Sequence, residues 1–161
     1  KRLFNVANSV IRDCEIKNCE GLDLPCEYLF NLEDTVVERT KFIGCKMETD
    51  HGDRELTEGG ILMIERGKLS DCIFEKCSAD GNSRYGRHYE MQIVLARNTT
   101  VTNCNFNDCS CFSCDSTDKT VKSYIVGLKN AVSANNEFHE CRAAHYSMGD
   151  FLSRENNIGN I

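Results

Sequence analysis

The sequence has no cluster of basic residues: its 19 Lys and Arg are scattered and are outnumbered by 25 Asp and Glu, for a net charge of −6. A nucleic-acid partner needs a concentrated Lys/Arg footprint against the phosphates, so the composition argues against one. No apolar run approaches the roughly 18 residues of a helical membrane span, and no signal peptide is read. Helical periodicity is lacking as well. The chain opens at Lys1 rather than Met, and neither end reads as the cap a solenoid needs, so it is expected to be a segment of a longer protein with further coils or domains.

What the sequence has in quantity is cysteine, 11 residues, and most of them recur at a fixed position. The block Lys68-Leu69-Ser70-Asp71-Cys72-Ile73-Phe74-Glu75-Lys76-Cys77 returns around Cys104, Phe106 and Cys109, and returns again at the same interval around Phe138 and Cys141. Upstream copies end at Cys19 and Cys45. Five copies make this a repeat protein, and the period outranks local propensity. Cysteine at a repeat position behaves as a small buried hydrophobe, which favours packed thiols over the disulfide framework of small secreted domains.

Each block opens with a short, often β-branched apolar segment: Leu29-Phe30-Asn31-Leu32, Ile61-Leu62-Met63-Ile64, Ile93-Val94-Leu95-Ala96. A second segment follows, then a third carrying Cys72 and Phe74, or Cys104 and Phe106, on one face at period two. Asp13, Asp71, Asn103 and Asn135 precede that third strand, and such residues tolerate the left-handed conformation of a tight corner. The pattern predicts an all-β fold: a right-handed parallel β-helix of about five coils, 26–32 residues each, with three short strands per coil. Like residues then stack into ladders about 4.8 Å apart. One ladder is Ile16, Phe42, Phe74, Phe106 and Phe138; another is Cys19, Cys45, Cys77, Cys109 and Cys141. Connectors of 9, 15, 15, 15 and 9 residues separate the blocks and are expected to leave along one edge.

On these features the chain resembles the right-handed β-helix repeat proteins of the pectin-lyase-like fold. Glu58-Gly59-Gly60-Ile61 followed by Phe74-Glu75-Lys76-Cys77 is similar to the polymorphic outer-membrane-type surface repeats, with Cys in place of Asn. That resemblance implies a cell-surface or extracellular setting and adhesin-like binding. The enzyme branch of the fold would imply lyase or hydrolase action on an acidic glycan. A third implied role is substrate recognition within a secreted effector.

Candidate chemistry lies in the connectors. His51, Asp53 and Arg54 sit in an acid-rich stretch, and the resemblance to polygalacturonases would ask for paired aspartates and an Arg-x-Lys beside His51-Gly52, which the chain does not offer. A solvated charge run is the plainer reading. Arg84, Tyr85, Arg87, His88 and Tyr89 combine the residue types that anchor binding surfaces, against the plain alternative of tyrosines covering a strand edge. Cys111 and Cys114 have C-x-x-C spacing, but a structural zinc needs a second such pair, so a loop disulfide is expected and no metal or cofactor. His139 falls at a variable, outward position. Asn98-Thr99-Thr100 fits the N-glycosylation triplet. The reading is a non-catalytic scaffold that binds a glycan or a protein through its connectors, centred on Tyr85 and Arg87, and not through its outer strand faces.

Overall fold

The computed structural model describes residues 4–22, 27–51, 58–83, 90–115, 123–144 and 152–155. The first coil consists of β1 (Phe4–Ala7), β2 (Val10–Arg12), β3 (Glu15–Lys17) and β4 (Glu20–Leu22). The second is β5 (Tyr28–Glu33), β6 (Val36–Glu38), β7 (Lys41–Ile43) and β8 (Lys46–His51). The third is β9 (Glu58–Glu65), β10 (Lys68–Ser70), β11 (Ile73–Glu75) and β12 (Ser78–Ser83). The fourth is β13 (Glu90–Arg97), β14 (Thr100–Thr102), β15 (Asn105–Asn107) and β16 (Ser110–Asp115). The fifth is β17 (Ser123–Lys129), β18 (Val132–Ala134), β19 (Glu137–His139) and β20 (Arg142–Ala144), and β21 (Leu152–Glu155) opens a further turn.

Every strand pairs in parallel with its counterparts one coil away, so the four positions of the coil become four sheets. Sheet A is β1-β5-β9-β13-β17-β21, sheet B is β2-β6-β10-β14-β18, sheet C is β3-β7-β11-β15-β19 and sheet D is β4-β8-β12-β16-β20. The molecule is a right-handed parallel β-helix. In sheet A, Phe4 pairs with Phe30, Phe30 with Leu62, Leu62 with Val94, Val94 with Val126 and Val126 with Leu152. The three middle steps are therefore equal in length, and the first and last are shorter.

The coil has four strands where the sequence pattern predicted three. The additional strands, β4, β8, β12, β16 and β20, occupy the first half of what reads as connector. Their inward column contains Gly21, Met47, Ala79, Cys111 and Ala143, and such small residues next to charged outward neighbours give no alternating apolar signal.

The interior is built from in-register columns. Phe42, Phe74 and Phe106 are completely buried, and the rings stack at 4.8 Å between Phe42 and Phe74, 4.9 Å between Phe74 and Phe106, and 5.1 Å between Phe106 and Phe138. Interplanar angles of 2–9° make this an offset-stacked aromatic ladder. Leu32, Ile64 and Leu128 fill the matching column of sheet A, and Val37, Leu69 and Val101 that of sheet B.

Corners between sheets A and B, B and C, and C and D repeat every five residues, at positive φ: Asp34, Arg39 and Gly44 in the second coil, Arg66, Asp71 and Lys76 in the third, Asn98, Asn103 and Asp108 in the fourth. Asp71 and Asn103 have φ of 55° and 54°, in the left-handed region their residue types tolerate. Arginine at such a corner has a compensating partner. Arg39 makes two hydrogen bonds to Asp13 directly below it, at 2.6 and 2.8 Å, and Arg66 reaches Asp34 at 3.1 Å. Asn103→Val is expected to cost about 1–2 kcal/mol in urea unfolding, because a β-branched residue is a steric outlier there. Asn103→Gly should cost clearly less, and equal losses would mean that side-chain hydrogen bonding rather than φ sets the penalty.

Candidate functional site

The residue after most corners is a hydroxyl or a thiol that donates to the carbonyl two residues back; Gly67, Ala131 and Asn136 are the exceptions among the described corners. Thr99 Oγ1 donates to Arg97 O at 2.7 Å, Cys72 Sγ to Ser70 O at 3.1 Å, and Thr40 Oγ1 to Glu38 O at 3.0 Å. Several also bridge to the coil below: Cys77 Sγ to Phe42 O at 3.4 Å, Cys109 Sγ to Phe74 O at 3.4 Å and Cys141 Sγ to Phe106 O at 3.2 Å. Thr35, Thr40 and Thr99 occupy equivalent places, so the thiols serve here as buried hydrogen-bond donors. Cys45, Cys77, Cys109 and Cys141 form the expected ladder as free, buried thiols.

Cys111 is also free and fully buried, facing inward from β16 beside Ala79. The loop disulfide expected with Cys114 is therefore not made. A spacing of three places the two residues on opposite faces of a strand. The side chain of Cys114 itself lies outside the described residues.

Thiol contacts and burial shift Cys77 and Cys109 away from ionisation. Cys109, stacked above Cys77, and the buried setting push Cys77 up to about 12 from an ordinary 9.0; Cys141 and burial do the same to Cys109. A thiol whose folded value is raised adds stability below its unfolded value that disappears as pH rises towards the folded one. Stability should accordingly fall between about pH 9 and pH 12. Cys45, Cys104 and Cys111 are pushed up as well, so replacing Cys77 and Cys109 together by Thr should reduce that slope in denaturant unfolding without abolishing it; an unchanged slope would mean that these two thiols do not contribute.

The residues expected to bind fall mostly outside the described part of the chain: Arg84, Tyr85, Arg87, His88, Tyr89, Asp53 and Arg54. Their places of departure are defined. His51, Ser83 and Asp115 end β8, β12 and β16 and pair in register, so they lie one coil apart at the end of sheet D. Glu58 and Glu90, where the chain re-enters sheet A, also pair. Three successive connectors thus share one edge of the helix.

Both borders of this edge carry polar side chains that sequence reading missed. On the sheet A side, Glu58 is mostly buried and bridges to cations from the next two coils, Arg97 and Lys129, the latter at 3.1 Å. Tyr28 donates its hydroxyl to Gln92 Oε1 at 2.7 Å, spanning two coils across Gly60. On the sheet D side, Lys46 pairs with Glu48 at 3.0 Å. Asp80 is next to Glu48 in register, and Phe112 is next to Asp80. Burial raises the Asp80 carboxyl above its ordinary range, and its Oδ1 is enclosed without a hydrogen-bond partner among the described residues. Phe112 is 39 % exposed. Among the described residues no group of three or more His, Cys, Asp or Glu is placed to hold a metal ion. His139 is exposed on sheet C, 3.3 Å from Glu137.

No family model matches the sequence, and no curated protein does. Among solved structures, two trypsin-treated forms of QnrB1, a plasmid-mediated fluoroquinolone resistance protein, are similar. One aligns over 85% of this chain and 68% of its own at 15% identity and a TM-score of 0.25. The other aligns over 83% and 73% at 17% identity and a TM-score of 0.27. Superpositions of this quality assign neither a family nor an activity. What the sheets themselves show is plain. The chain is a parallel β-solenoid. The pectin-lyase-like and surface-repeat assignments are finer than that finding.

Proposed function

We propose that this chain is a non-catalytic, adhesin-like scaffold whose stacked coils hold a row of connectors for a glycan or a protein partner. The observation that supports it is the in-register alignment of the connector bases at His51, Ser83 and Asp115. A solenoid with buried aromatic and thiol columns is rigid along its axis, so loops leaving it at equal positions keep a fixed spacing of about 4.8 Å per coil. Arg84, Tyr85, Arg87, His88 and Tyr89 in the middle connector supply anchor chemistry, with His51, Asp53 and Arg54 in the connector before it.

Replacing Tyr85 and Arg87 together by Ala should abolish binding, scored on a glycan array and in crosslinking to intact cells, with the melting temperature nearly unchanged. Binding that survives the double change but is lost when the outward residues Lys41, Ile73 and Asn105 of sheet C are altered would move the site to a strand face and end this reading.

A further inference from the structure

The first coil leaves the end of the core open. Its inward residues Ile11 and Ile16 are only half-buried and Phe4 is 46 % exposed, whereas Val37, Phe42 and Phe30, one step up the same columns, are buried. Its backbone is open as well. Val36, Lys41 and Lys46 donate their N–H groups to Ser9, Cys14 and Cys19 of the coil below, but the equivalent N–H groups of Val10, Glu15 and Glu20 have no coil below them among the described residues. Open strand edges beside an apolar end are a template for pairing with another chain. Head-to-tail stacking is disfavoured, because β21 already covers β17 where the β1 strand of a following copy would lie. It would also add Glu15 to the column that ends at Glu137. Read in the reverse direction, the first coil complements itself. Counting outward from Ile16, Glu15 answers Lys17, Arg12 answers Glu20, and Ile11 answers Gly21. All four charged residues are exposed.

We propose that the first coil is a homodimer interface, on which a second copy of this chain docks its own first coil head to head. The two-fold axis passes through Ile16, perpendicular to the helix. Rotation about such an axis preserves the right-handed sense, so the second copy continues the stack at ordinary strand spacing with its strands antiparallel. β3 then pairs with β3 of the second copy, and β2 with β4. The open N–H of Glu15 donates to the carbonyl of Lys17 in the other copy, and that of Glu20 to the carbonyl of Arg12, as antiparallel pairing requires. Each dimer gains two Glu15–Lys17 pairs and two Arg12–Glu20 pairs. Ile11 meets Gly21, which has no side chain to oppose it. Such an isologous contact closes at two copies, whereas head-to-tail stacking would grow into a filament. The axis exchanges sheets B and D, so the connectors of the second copy leave beside the edge between sheets A and B of the first.

The test is sedimentation velocity of the full-length protein, which should run as a dimer at about 100 μM. Arg12→Glu and Glu20→Arg should each weaken dimerisation at least tenfold, because each sets like charges opposite one another twice per dimer. An equimolar mixture of the two variants should dimerise again, since every contact between positions 12 and 20 then joins opposite charges. Glu15→Lys and Lys17→Glu, alone and mixed, should behave in the same way beside the axis, and they replace the first pair if either of its members fails to fold by circular dichroism. A monomeric wild type overturns the interface, as does a dimer that the reversals leave intact. Growth into longer assemblies, or a mixture that stays monomeric, overturns the two-fold arrangement.

Discussion

Phe74→Ala is expected to destabilise the protein by about 3–5 kcal/mol, read as a shift in the urea midpoint at constant slope. The ring has no exposed surface and sits between two parallel neighbours, Phe42 at 4.8 Å and Phe106 at 4.9 Å. Truncation removes both stacking contacts and opens a cavity that paired backbone on either side cannot close. Phe138→Ala makes the internal comparison. That ring is only partly buried and stacks on Phe106 at 5.1 Å, so its loss should cost clearly less. Equal costs at the two positions would mean that stability does not follow depth in the ladder.

Gly60→Ala should be the most damaging single-methyl addition in the described chain. A Cβ on Gly60 would lie 1.7 Å from the Gln92 carbonyl oxygen and 2.8 Å from its carbon. Both are backbone atoms of the next coil, so the methyl can be accommodated only by moving paired strands apart. Overpacking in a core costs about 1–3 kcal/mol, and a clash with backbone belongs at or above the top of that range. The same displacement would separate Tyr28 from Gln92, whose 2.7 Å hydrogen bond crosses Gly60. Gly127→Ala is the control: its added Cβ would meet only the side chains of Gln92 and Leu95, at 3.2 Å, which can shift. Thermal unfolding of the two variants should therefore differ by several degrees. Similar melting temperatures would contradict the close approach at Gly60.

Much of the coil was legible because its signals are local and repeat. Cys72 and Phe74 share a face by period-two spacing, and their copies one repeat later place Cys104 and Phe106 above them without any knowledge of the fold. Asp71 and Asn103 mark corners because Asp and Asn accept positive φ more readily than other residues, whereas the corners at Arg39, Arg66 and Lys76 carry no such mark. Sheet D was not legible. Ala79, Gly81 and Cys111 do not look like a core strand, and the neighbouring charges of Lys46, Glu48 and Asp80 look like a loop.

The sequence by itself therefore determined the architecture, the ladder of Phe42, Phe74 and Phe106, and the single edge shared by the long connectors, since each follows from residue type at a constant period. The tertiary structure alone decided the fourth face, the use of the thiols, and the pairing of Asp80 with Phe112. Small inward residues become a strand only when adjacent coils supply their hydrogen bonds, and a ladder thiol meets a second carbonyl only when the coil below brings one up. Asp80 and Phe112 stand a full repeat apart in the chain, and stacking is what makes them neighbours.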